Sequence, residues 1–232
     1  LYKLGRTDVL TDISNAVTLP DPEVRMAALG VLGRLRRPAS LSILSQAVYD
    51  PHPAVRAFAA GALGEFGSTD GIAPLTHALS DENPRVRSVA ASSLGRLGAT
   101  ETRSVVQPLL RDPDEHVRIS AVEALLRLGD ASAVLNAADL ARHPDPSVRG
   151  GAAHALAAAT TPNALTVLES LLRDQQPLPR LMAARALGKL QQKSLISPLK
   201  TGLQDSDPTV RIASAGSLIH ILSRKDKQGS AH

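Results

Sequence analysis

The chain has no cysteine and no tryptophan, and only two tyrosines and two phenylalanines in 232 residues. Without cysteine, disulfides, thiolate nucleophiles and Cys-ligated zinc or iron–sulfur centres are excluded. β-branched and aromatic side chains are scarce beside helix formers, which argues against a sheet protein. No apolar run approaches the roughly 18 residues of a membrane span, so no membrane insertion is expected. No secretory apolar segment stands out. The cysteine-free composition fits a cytoplasmic protein, although the chain begins at Leu1 and so leaves targeting open. Charge of one sign is also modest. The net +4 includes +2 from Arg224, Lys225 and Lys227 against Asp226 in a polar tail, 223–232, leaving a weakly basic body.

Leucine and alanine dominate, at 35 residues each. They are distributed with a period. Arginine recurs at Arg25, Arg56, Arg87, Arg118, Arg149, Arg180 and Arg211, always 31 residues apart. Seven positions after each comes Leu32, Leu63, Leu94, Leu125, Leu156, Leu187 or Leu218, and three after comes Ala, replaced once by Ser214. A fixed period over most of the chain is the mark of a repeat architecture.

Each unit reads as two helices. Asp21-Pro22, His52-Pro53, Asn83-Pro84, Asp145-Pro146 and Asp207-Pro208 place a capping side chain before a proline, the N-cap and N1 arrangement. Apolar spacing such as Val86, Ala90, Leu94 and Leu97 continues a first helix of about 14 residues. Gly5, Gly67, Gly98 and Gly129 share the row that follows it, suiting left-handed C-caps. A second helix of about 10 residues comes next, with Leu165, Leu168 and Leu172 as one core set. Such a pair cannot bury its apolar faces alone, and stacked copies can. The sixth turn carries Pro179 where the others have Val, still within the first helical turn, so the helix is expected to survive.

Asp21-Pro-Glu-Val-Arg25, the Ala90-Ala91-x-x-Leu94-Gly95 stretch and the 31-residue period resemble HEAT-like repeats of the phycobilisome-lyase (bilin lyase) type. The resemblance runs from about residue 3 to 222. It implies an all-α, right-handed α-α superhelix, an armadillo-type solenoid of about seven two-helix repeats over residues 1–222. The opening residues 3–17 match 34–48, and residues 207–222 form a first helix with no second helix after it. The solenoid is therefore cut within a repeat at both ends, which predicts a domain of a longer protein with apolar surface at its ends and possible end-to-end self-association.

Chemistry is sparse. The seven repeated arginines sit at the unfavourable positive end of a helix dipole, which implies partners. Asp50, Asp81, Asp112, Asp174 and Asp205 lie six residues before them, and Asp21, Asp114, Asp145 and Asp207 lie four before. A structural ladder of charge-assisted bonds is expected. Histidines are scattered, with His52, His116 and His143 placed in turns. Deoxyhypusine hydroxylases also resemble repeats of this class, and the resemblance implies iron held by His-Glu pairs. No His-Glu dipeptide occurs here. Gly-x-Ser-x-Gly, phosphate-cradling and His-Glu-x-x-His motifs are absent. No enzyme activity, cofactor or metal is expected.

The surface that varies between repeats is the candidate for binding. On the second helices these rows contain Gln46, Tyr49, His77, Gln107, Arg111, Asp139, Arg142, Glu169, Arg173 and Lys200. Second helices of such superhelices line the concave side, and tyrosine and arginine are enriched in interface hot spots. Arg111, Arg142 and Arg173 also suit second-helix C-termini. The preferred reading is a non-enzymatic interaction scaffold that takes a protein or peptide on its concave face. The alternatives are a bilin lyase or chromophore-handling subunit and a phosphate-backbone binder. Scarcity of stacking groups disfavours nucleic acid. The fifth repeat, with Gly150-Gly151 and the small run Ala157–Thr161, is expected to be the soft one.

Overall fold

The computed structural model describes residues 8–223. The opening residues 3–7, expected to be the end of a first helix, and the polar tail at 224–232 lie outside that range, as does Gly5. Among the described residues there are fourteen α-helices and no strand. First helices are α2 (Pro22–Leu35), α4 (Pro53–Phe66), α6 (Pro84–Leu97), α8 (Glu115–Arg127), α10 (Pro146–Leu156), α12 (Pro177–Leu190) and α14 (Pro208–Ser223). Second helices are α1 (Asp8–Ala16), α3 (Pro38–Ala47), α5 (Ile72–Ala78), α7 (Arg103–Val106), α9 (Ala133–Leu140), α11 (Pro162–Leu171) and α13 (Ile196–Gly202).

The caps follow the sequence. Asp21, His52, Asn83, Asp145 and Asp207 each accept a backbone N–H two residues on, and Pro stands at N1. Pro179 is buried inside an intact 14-residue α12. The left-handed C-cap row is broader than its glycines. Gly67, Gly98 and Gly129 have φ of 80°, 66° and 85°, and Arg36 and Gln191 adopt φ of 48° and 54° at the same register position. A left-handed non-glycine residue costs roughly 1–2 kcal/mol.

The chain divides into two compact units, one up to residue 124 and one from residue 125. In the first, α2 packs on α4 and α4 on α6, with α3 and α5 seated between successive first helices. In the second, α10, α12 and α14 stack in the same way, with α11 and α13 between them. The repeated Leu row, Leu32 to Leu187, is buried throughout. Glycine permits the close approach of successive first helices: a Cβ on Gly95 would lie 2.7 Å from Ala124 Cα.

Three local expectations change. Second helices are shorter than 10 residues in several repeats, because a 3-10 turn opens them at Thr69–Gly71, Thr100–Thr102 and Lys193–Leu195. In the third, Pro108 cannot donate an amide to a continuing α-helix, and Gln107–Arg111 is 3-10. The first helix of the fifth repeat stops at Leu156, and Ala157, Ala158 and Ala159 donate to the carbonyls three residues back. His116, expected in a turn, lies in the first turn of α8.

Candidate functional site

The arginine row is a structural clamp. Arg25, Arg56, Arg87, Arg149 and Arg180 each donate from Nε and Nη2 to a carboxylate 25 residues on, at 2.7–2.8 Å: Asp50, Asp81, Asp112, Asp174 and Asp205. Nη1 donates to the carbonyls five and six residues back, at 2.8–3.2 Å. Each of these carboxylates also accepts the amide two residues ahead, at 2.8–3.0 Å. One guanidinium thus ties its own turn to the next. Bidentate charge-assisted bonds of this kind are the strong ones.

The electrostatics agree. For Asp81 and Asp112, burial alone would raise the carboxyl, but the Arg56 or Arg87 guanidinium and the turn amide hold it below the ordinary range. For Asp174 and Asp205 the bond from Arg149 or Arg180 is the largest influence, and it too lowers the carboxyl. The second aspartate row has a different job: Asp21, Asp114, Asp145 and Asp207 cap helices.

Two arginines lack the carboxylate. Arg118 donates to the Asp112 and Pro113 carbonyls at 2.7 and 3.1 Å and to Glu115 at 3.2 Å. The residue 25 positions on is His143, whose Nδ1 accepts the Asp145 amide at 3.1 Å, the turn-capping bond that the aspartate makes in other repeats. Arg211 bonds the Asp205 and Ser206 carbonyls.

The second-helix candidates are on the surface. Gln46, Tyr49, His77, Gln107 and Arg111 in the first unit are exposed, as are Asp139, Arg142, Arg173 and Lys200 in the second, while Glu169 is half-buried. Tyr49 is 58% exposed, and its ring meets that of His77 on the next second helix at a centroid distance of 4.7 Å. The sequence did not reveal this pair, because its members stand in different rows. Asp139 pairs with Arg142 at 3.5 Å, both largely solvated.

The first-helix side holds grooves that sequence reading missed. One, of about 470 Å³, lies between α2 and α4 over Gly30, Gly33, Gly61 and the half-exposed ring of Phe58, with Arg34 and Glu65 beside it. A second, of about 350 Å³, lies between α12 and α14 over Gly188, Ala213 and Gly216, edged by Arg185, Lys189 and His220. At the end of the stack, α14 exposes Ile212, Ile219 and Leu222, while Leu218 and Ile221 are buried. Among the described residues no group of three or more His, Asp or Glu side chains could hold a metal, and no helix is long and apolar enough to cross a membrane.

The HEAT repeats family matches this chain over residues 44–125, 102–179 and 169–229. Among curated proteins none matches the sequence. The CpcE–CpcF complex of phycocyanin lyase from Nostoc sp. PCC7120 is similar in structure, with a TM-score of 0.68 and 20% identity over 93% of this chain and 92% of that one. YIBA_ECOLI is similar with a TM-score of 0.57 and 17% identity, over 90% and 91%. At these identities the likeness is one of fold.

Proposed function

Because the chain belongs to the HEAT repeats family, we propose that it is a non-enzymatic binding module that holds a protein or peptide on its second-helix face. The carrying observation is the contrast between rows. Core rows repeat one residue type and are buried, whereas nine of the ten candidate positions are exposed and differ from repeat to repeat. Within each unit, stacked repeats with a varied exposed second-helix face support recognition along that face. Tyr49 against His77 is the best anchor, since a tyrosine already braced by a neighbouring ring loses little freedom on binding. In the second unit Arg142 and Arg173 supply planar donors for partner carboxylates or carbonyls. The outer face of α14 supports end-to-end association as a further contact.

Photo-crosslinking from position 49 and from position 173, each replaced by a photoreactive residue, tests the reading. Captured protein is expected from both, and Tyr49→Ala is expected to weaken that partner about 30-fold, the effect of a hot-spot loss near 2 kcal/mol. Crosslinks obtained only from the first-helix side would overturn it. An absorbance shift on mixing with free bilin, abolished by Tyr49→Ala, would replace it with the chromophore-handling reading.

A further inference from the structure

Charge is segregated along the chain, and the overall +4 conceals it. Residues 1–174 hold 17 cations and 19 acids, a net −2, while residues 175–232 hold nine cations and three acids, a net +6. Among the described residues of that last part, 175–223, the acids are Asp205 and Asp207 alone, and Asp205 is consumed by its clamp with Arg180. Residues 175–204 contain Arg180, Arg185, Lys189, Lys193 and Lys200 and no carboxylate.

The α12–α14 groove lies in this stretch. Its register is that of the α2–α4 groove displaced by five repeats: Gly188 matches Gly33, Gly216 matches Gly61, Lys189 matches Arg34 and Ala213 matches Phe58. In the second, Gly188 lets α14 approach closely, since a Cβ there would lie 2.6 Å from Ser217 Cβ, while Gly216 leaves the surface beside it open. The edges differ. The position held by Glu65 in the first groove is His220 in the second, where Gln191 Nε2 donates to the ring Nε2. The second groove thus has a cationic edge without an acid. Arg185 and Lys189 are exposed, and among the described residues neither pairs with a carboxylate.

We propose that the groove between α12 and α14 binds an acidic peptide segment, with its carboxylates on Arg185 and Lys189 and its backbone over the floor at Ala213 and Gly216. The site is separate from the second-helix face. Local net charge steers an anionic partner to it, and the Arg185 fork supplies bidentate recognition. A floor of glycine and alanine admits an extended backbone closely. A phosphodiester chain would bring no group to cover that floor, and the groove has no aromatic ring for a base to stack on.

Fluorescence anisotropy with a labelled hexaglutamate peptide, with labelled hexathymidylate in parallel, tests the proposal on the full chain. Arg185→Ala with Lys189→Ala is expected to weaken hexaglutamate at least tenfold, the scale of a lost charged hydrogen bond. Gly216→Leu separates a groove from diffuse charge. A Cβ at this exposed helical position meets nothing within 4 Å, so the fold accommodates it, while the larger side chain fills the floor. It is expected to weaken the peptide about tenfold at unchanged melting temperature, and Arg34→Ala, in the other groove, to change binding less than about twofold. Full affinity in Gly216→Leu, hexathymidylate binding as tightly as hexaglutamate, or no hexaglutamate binding at millimolar concentration each overturns the proposal.

Discussion

Replacing Arg87 by Ala removes four hydrogen bonds: two to the Asp112 carboxylate at 2.8 Å and two to the Asp81 and Glu82 carbonyls at 2.8 and 3.1 Å. The Asp112 side chain is only 8% exposed and keeps the Asp114 amide as its remaining donor. Stranding a largely buried carboxylate costs about 3 kcal/mol. For a chain of this length that is a fall in melting temperature of about 6–12 °C. Arg118→Ala is the matched control, since its guanidinium holds two carbonyls and the partly exposed Glu115. Its loss leaves no buried charge behind, so the cost is about 1 kcal/mol, or about 2–4 °C. Calorimetry of the two variants beside the parent reads the difference directly. Equal falls would refute the view that the inter-repeat carboxylate, rather than the intra-turn carbonyl bonds, makes the clamp; an unchanged Arg87→Ala would refute the clamp altogether.

Acid should open the same ladder. Asp81, Asp112, Asp174 and Asp205 are held below their ordinary value of 3.8, so their stabilising contribution is complete above that value. It is lost as pH falls through the lowered folded values, because the unfolded chain then binds the protons more tightly. Melting temperature is expected to be nearly level from pH 7 to about 5 and to drop steeply below about 4; a level profile down to pH 3 would contradict the assignment. The fifth repeat is expected to exchange its amides fastest. Its first helix is three residues shorter than the 14 of α6 and contains Gly150 and Gly151, each costing roughly 0.5–1 kcal/mol against Ala. Hydrogen exchange should therefore protect 146–156 less than 84–97, and Gly150→Ala should narrow the gap, since its added Cβ meets Leu178 and Met182 at an ordinary 3.4 Å. Uniform protection would count against the soft-repeat reading.

The repeat length, the two-helix unit and most of the caps were legible because each rests on residues of one kind recurring at a fixed position in successive copies. Buried Leu and Ala rows leave no freedom, and Asp or Asn before Pro satisfies amides that nothing else reaches. The ladder was legible only in outline. Two aspartate rows stood near the arginines, and the 25-residue spacing that selects Asp50 over Asp21 depends on how far successive turns are offset in space. The left-handed Arg36 and Gln191 were hidden because glycine is the expected residue there. Once the neighbouring rows fix the helix end, the backbone accepts a strained residue at modest cost.

The binding surfaces were the least legible, for a reason built into repeat proteins. A core row announces itself by invariance between copies, whereas a partner-facing row and an unconstrained solvent row both vary. Variation at Gln46, His77 and Asp139 therefore nominates a face without saying what it meets. Chemistry becomes visible where variation has a direction. The row that holds Glu65 in one groove holds His220 in the other, so the carboxylate is lost between two grooves of the same register. The acids that balance the cations up to residue 174 nearly vanish after it. Chain-wide net charge averages that asymmetry away, and single motifs do not contain it. It emerges only when equivalent positions are compared across the stack and then located on one surface. By that route the α12–α14 groove, which carries no recognisable motif, becomes the most specific chemical statement this chain makes.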